Sequence, residues 1–266
     1  MDNQIITSIQ HTLESLESAE NVVVLLAVES GSRAWGFPSV DSDYDVRFIY
    51  IRPTEWYLSV DLENRRDVIE RPLENEIDIS GWDIRKALKL FRKSNPPLLE
   101  WLQCPLVYRE RFSFGARLRE FLPEFYSPRA CFYHYLHMAK GNIREYLHGE
   151  TVWRKKYFYV LRPLLAMRWI DQGRGPVPIE FRKLVEATIE DSTLRAAIND
   201  LIAAKQAGAE LERGPRTPVI SDFVESEMAR HGQSLSERPD VAPSFEVLNE
   251  LFRNTLVEVW RNQRSS

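Results

Sequence analysis

Two aspartates one residue apart, Asp43 and Asp45, close the run Gly31-Ser32-Arg33-Ala34-Trp35-Gly36-Phe37-Pro38-Ser39-Val40-Asp41-Ser42-Asp43-Tyr44-Asp45. Carboxylates two positions apart on a strand leave the same face. Hard cations such as Mg2+ take carboxylate oxygens and fill their remaining positions with water. Upstream, the Gly31-Ser32 pair lets backbone approach a phosphate closely, and a helix starting there presents free amides to it. The Ser32 hydroxyl and the Arg33 charge add to that cradle. Held together, these groups would bind a triphosphate and its metal ions, as nucleotidyl transfer requires.

Arg47 is next in the alternation and joins Asp43 and Asp45 on their face, placed to answer phosphate charge. A third carboxylate from a neighbouring strand would complete the metal set. Asp78, flanked by Ile77 and Ile79, is the first choice; Glu76 shares its face and Asp83 lies just beyond, so both stay open.

The elements that must position these residues follow from periodicity. Ile5, Ile9, Leu13 and Leu16 recur at helical spacing and predict a helix over Gln4–Glu17. Val22–Val28 is an apolar, β-branched run that reads as a buried strand. A short helix follows Gly31-Ser32 and is cut off by Gly36 and Pro38. Asp43–Ile51 reads as a second strand closed by Pro53, Asp61–Glu76 as an exposed hairpin or loop, and Glu76–Ser80 as a third strand. Ser80-Gly81-Trp82-Asp83 resembles a capping box opening a helix through Lys93, and Asn95-Pro96-Pro97 stops that helix and starts another.

From about Phe112 the pattern is helical: 112–121, 128–147, 151–171, 179–190, 193–207, 221–231 and 244–262, with linkers at 173–176 and 214–218. The expectation is an α+β fold, with a small mixed-sheet catalytic domain over residues 1–110 followed by a helical substrate-binding domain over 111–266.

Net charge is −4 over 266 residues, so the chain is not coated in basic side chains. Residues 128–175 nevertheless carry nine Lys or Arg against Glu145, Glu150 and Asp171, a local excess of about +6 suited to phosphates. Within it, Lys155, Tyr159 and Arg162 fall at i, i+4 and i+7 of the expected 151–171 helix and form one stripe. Phosphate contacts for Lys155 and Arg162, and base stacking for Tyr159, follow as expectations. Trp35 and Trp56 would stack on a base or pack the domain, and His134 with His137 lacks the further ligands of a zinc site. Cys104 and Cys131 have no metal-binding spacing, no apolar run is long enough for a bilayer, and Met1-Asp2-Asn3-Gln4 lacks signal-peptide character. A cytoplasmic setting without membrane attachment is therefore expected.

The fuller wording is narrower. Ser30-Gly31-Ser32-Arg33-Ala34-Trp35-Gly36, Ser42-Asp43-Tyr44-Asp45-Val46-Arg47-Phe48-Ile49-Tyr50, Gly81-Trp82-Asp83, Lys93-Ser94-Asn95-Pro96-Pro97-Leu98-Leu99-Glu100-Trp101-Leu102 and Lys155-Lys156-Tyr157-Phe158-Tyr159-Val160-Leu161-Arg162-Pro163-Leu164 resemble the RNA-repair-associated nucleotidyltransferases of the RlaP type, within the polymerase-β-like superfamily. The resemblance extends over about residues 22–172. It implies a palm-like catalytic domain, Mg2+ (with Mn2+ as the alternative), a nucleoside triphosphate such as ATP or CTP, and an RNA acceptor, with tRNA as one such RNA. A protein hydroxyl or a small molecule are the alternative acceptors.

Overall fold

The computed structural model describes residues 3–74, 76–147, 149–208, 213–232 and 243–261. They fall into two compact units: Met1–Ala34 with Asp43–Phe125 and Ala242–Ser266, and Trp35–Ser42 with Tyr126–Val241.

The first unit is built on a mixed five-stranded sheet. Helix α1 (Asn3–Glu20) buries Ile9, Leu13 and Leu16, one stripe at helical spacing. Strand β1 (Val23–Glu29) is buried from Val24 onward, as a central strand requires. After the short helix α2 (Ser32–Trp35) comes β2 (Tyr44–Ile51), which buries Tyr44, Val46 and Phe48 and leaves Asp45 and Arg47 partly accessible. That alternation puts the apolar side chains in the core beneath α1, with Val24, Ala27, Ile77 and Ile79, and turns Asp45 to the opposite face. Helix α3 (Thr54–Tyr57) starts at Pro53.

The stretch expected as an exposed hairpin or loop contributes an edge strand, β3 (Val68–Glu70), with Ile69 buried, that pairs antiparallel with residues 80–82. Strand β4 (Ile77–Asp83) runs three residues past the expected Ser80 end and pairs parallel with β2. Gly81 stays in the strand because the Phe48 ring fills the space where its side chain would stand: a Cβ would lie 2.2 Å from that ring. The residue that caps α4 (Ile84–Arg92) is therefore Asp83, whose carboxylate accepts from the Arg85 N–H at 2.8 Å. Helix α5 (Pro96–Gln103) starts as expected, with Asn95 as cap. Strand β5 (Val107–Glu110), absent from the sequence reading, pairs with β1 at the other edge, giving the order β3-β4-β2-β1-β5. Helix α6 (Phe114–Phe125) buries Phe114, Leu118 and Leu122 and packs on β1 and α5, so the first unit extends beyond residue 110.

The second unit is mainly helical: α7 (Pro128–Tyr146), α8 (Tyr157–Asp171), α9 (Phe181–Thr188), α10 (Ser192–Gln206) and α11 (Pro218–Gly232). A two-stranded ribbon joins β6 (Thr151–Trp153) to β7 (Arg213–Pro215), so 151–153 are not the first turn of α8, and 214–215, at the start of the expected 214–218 linker, belong to a strand. Residues 35–42 belong here too. Phe37 is fully buried, with ring centroids 4.7 Å from Phe158 and 5.4 Å from Phe181. Helix α12 (Glu246–Trp260) returns to the first unit, where the Ser113 hydroxyl donates to Glu258 at 2.7 Å. Residue 262, the expected end of that helix, lies outside the described residues. Among the described residues no helix is long and apolar enough to cross a membrane.

Candidate active site

Parallel pairing of β2 with β4 makes Asp45 and Asp78 register partners, so both carboxylates stand on the sheet face away from α1. Arg47, two residues along β2, closes on the pair: its Nη2 lies 2.7 Å from Asp78 Oδ2 and 3.5 Å from Asp45 Oδ1. Its Nη1 donates to the carbonyls of Val46 and Asp78, each at 3.1 Å. Burial raises the Asp45 carboxyl to about 6; the Arg47 charge opposes this, and the charges of Glu29, Asp78 and Asp43 add to it. The site is thus a concentration of negative charge answered by one guanidinium.

The glycine–serine turn is tied to this pair by a residue the sequence reading missed. Glu29, the last residue of β1, is fully buried. Its Oε1 accepts the N–H groups of Ser30 at 3.2 Å, Gly31 at 3.1 Å and Asp45 at 3.1 Å, and its Oε2 accepts the Tyr108 hydroxyl at 2.5 Å. The signal was present in the sequence: a carboxylate directly after the seven apolar residues Val22–Val28 and directly before Ser30-Gly31-Ser32. Gly31 also has a more specific role than close approach to a phosphate. A Cβ there would lie 1.6 Å from Asp45 Oδ2, so the missing side chain is the niche that holds the carboxylate.

The other expected residues distribute as follows. Asp43 stands one position before β2 and is exposed, its charge reaching Asp45. Ser32 opens α2, and the Arg33 guanidinium lies 3.7 Å over the Tyr44 ring. Glu76 is exposed in a turn at φ 64°, ahead of β4. Asp83 is buried at the far end of β4, roughly 17 Å along the strand from Asp78 at the usual rise per residue. It points to the opposite face and accepts the Tyr57 hydroxyl at 2.7 Å, so it caps a helix and does not join the pair. Trp56 lies between the guanidinium groups of Arg52, at 4.1 Å, and Arg65, at 4.3 Å.

In the second unit the expected stripe is broken. Lys155 sits in a tight turn ahead of α8 and is exposed; Tyr159 is on the helix and 40% exposed. Arg162 is only 5% exposed, donates to the Ile179 carbonyl at 3.4 Å and lies over the Trp35 ring at 5.3 Å. Arg168 likewise turns inward, to Glu227 at 2.7 Å. Part of the basic excess read from residues 128–175 is therefore spent inside the unit.

Among the described residues no three carboxylates, histidines or cysteines already surround one point. The donor chemistry of Asp45 and Asp78 still fits a hard divalent cation. Two oxygen ligands stand side by side, and burial, opposed by the Arg47 charge, raises the proton affinity of Asp45, which a divalent ion would lower.

A mixed α+β sheet that sets paired aspartates beside a glycine–serine turn is the arrangement of a polymerase-β-like nucleotidyltransferase. The chain belongs to the RlaP family, described as an RNA repair pathway DNA polymerase beta family, whose sequence model matches residues 5–254. It is similar to YcgL of Bacillus subtilis (strain 168), 46% identical over 251 residues that cover 94% of this chain and 96% of that protein. It also has a loose likeness to the crystal structure of a nucleotidyltransferase-like protein from Exiguobacterium sibiricum 255-15, with TM-score 0.32 and 12% identity over 96% of this chain and 91% of that one.

Proposed function

We propose that the chain transfers a nucleoside monophosphate from a nucleoside triphosphate, ATP or CTP, to the 3′ hydroxyl of an RNA such as a tRNA. The observation that carries this reading is the register pairing of Asp45 with Asp78 on the face where Gly31 makes room for the Asp45 carboxylate. Membership in an RNA repair family supports RNA as the acceptor. The acceptor oxygen attacks the α-phosphorus, the bond from that phosphorus to the bridging oxygen breaks, and pyrophosphate leaves with the electron pair. Asp78, the more accessible of the paired carboxylates, takes the proton released by the acceptor hydroxyl. Asp45, Asp43 and Asp78 are the carboxylates that would hold Mg2+ or Mn2+, which neutralises charge on the attacking and leaving oxygens when bound.

Arg47 stands where it can exchange its carboxylate partners for a phosphate, and Arg33 with the Ser32 hydroxyl offers further donors at the turn. Lys155, exposed in the second unit, would contact a phosphate, and Tyr159, whose ring meets Trp35 and Lys156, would stack on a base by exchanging those contacts; Arg162 is enclosed and takes no such role. The reading is tested by incubating the protein with Mg2+ and nucleotides labelled at the α-phosphate, together with an RNA, a protein or a small-molecule fraction. Label in the RNA supports it. Label in protein or small molecules alone moves the acceptor, and no label in any fraction refutes transfer.

A further inference from the structure

We infer that Glu29 is a positioning residue whose carboxylate locks the Gly31-Ser32 turn to Asp45, with Tyr108 fixing the carboxylate in turn; its bearing on catalysis rests on the function proposed above. A buried carboxylate is costly unless hydrogen bonds replace its water. Strand β1 is otherwise apolar from Val23 to Val28, so packing alone would favour another aliphatic side chain at its end. What Glu29 does instead is specific. One oxygen gathers three amides from two separate segments, the neighbouring Ser30 and Gly31 on one side and Asp45 on the other. The second oxygen is held by Tyr108 from β5, and the Cys104 thiol donates to the Glu29 carbonyl at 3.0 Å. All of these donors are neutral groups.

The lock acts where geometry matters most. The Ser30 N–H also donates to the Asp45 carbonyl at 2.9 Å, so turn and strand are joined at two points around the Glu29 carboxylate. Asp45 Oδ2 occupies the space that a Gly31 Cβ would fill, so any drift of the turn relative to β2 moves that carboxylate. The same bonds commit the Ser30 and Gly31 amides, which are therefore unavailable to a phosphate. Glu29 thus positions the turn and the carboxylate without touching the reacting groups.

The test is amide hydrogen exchange on the full chain, read residue by residue, with Glu29→Ala, Glu29→Gln and Tyr108→Phe. Glu29→Ala should speed exchange at Gly31 and Asp45 by at least about tenfold, while Ala27 and Phe48, paired further along the same strands, stay within about twofold. Glu29→Gln keeps an acceptor oxygen and should restore protection and kcat per folded molecule. If Glu29→Ala does not fold, Tyr108→Phe should show a weaker form of the same local pattern. Uniform acceleration across the β1–β2 ladder, or no acceleration at Gly31 and Asp45, would overturn the inference. Local acceleration in a chain that shows no nucleotidyl transfer would leave the lock standing and remove the proposed reaction.

Discussion

Asp45 and Asp78 are register partners on two parallel strands, and one guanidinium, that of Arg47, spans both. Adjacent strands lie about 4.8 Å apart, so the two carboxylates repel unless a cation stands over them. Arg47 fills that role, closer to Asp78 than to Asp45, and its charge opposes the burial that raises the proton affinity of Asp45.

Asp45→Asn should therefore separate stability from activity. In the folded chain Asp45 takes up its proton near pH 6, against about 3.8 in the unfolded chain. The native state binds more protons in that window, so stability rises as pH falls from about 6 to 4 and is reduced above it. The variant should melt higher than wild type at pH 8, by about 1 kcal/mol once the carboxylate's partial exposure is discounted. That gain should shrink by pH 4, while transfer activity is lost at every pH. Thermal melts at both pH values check the sign.

Gly31→Ala places a methyl group on Asp45 Oδ2. The carboxylate must move or the turn must open, at a cost of about 1–3 kcal/mol in stability. A shift near 1 Å in a catalytic group lowers rates by about 100-fold, so kcat should fall by at least that much. A variant with wild-type kcat would show that the niche is incidental.

Three single changes discriminate among the acidic residues of the β4 region. Asp78→Ala should lower kcat by about 10²–10⁴-fold with the fold intact. Asp83→Ala should leave kcat per folded molecule unchanged and lower stability by about 1 kcal/mol through the lost helix cap, with a further loss at Tyr57. Glu76→Ala should change neither. Melting curves and single-turnover rates on the same samples settle the assignment.

Much of this was legible in the sequence because local chemistry and burial agree there. Val46 and Phe48 alternate with Asp45 and Arg47, and Ile77 and Ile79 with Asp78, which fixes both strands and the face they share. Where the two disagree, the reading failed. In β5 a short edge strand carries Arg109 and Glu110, so its pattern is too brief and too polar to mark a strand. Glu29 reads as a charge at a strand end, and only its amide partners reveal why it is buried. Thr151–Trp153 merged with the helix that follows because their pairing partner, Arg213–Pro215, is about sixty residues away in sequence. That error put Lys155 and Arg162 on one stripe.

Lys155 and Arg162 should accordingly behave differently. Arg162→Met removes an enclosed guanidinium and its bond to the Ile179 carbonyl, so the melting temperature should drop. Lys155→Ala should leave melting unchanged, weaken RNA binding and flatten its salt dependence by about one counterion. Equal effects of both changes on RNA affinity, with no loss of stability, would return Arg162 to the binding surface.

Paired carboxylates on β2 and β4 are proposed to carry nucleotidyl transfer to RNA. The most direct test is single-turnover extension of an RNA oligonucleotide with a free 3′ hydroxyl, using α-labelled ATP and CTP with Mg2+. Wild type and Asp83→Asn should both lengthen the RNA by labelled nucleotide and release pyrophosphate, and Asp45→Asn should do neither. Extension by Asp45→Asn at the wild-type rate, or an RNA that stays unlabelled with every nucleotide, would contradict the account.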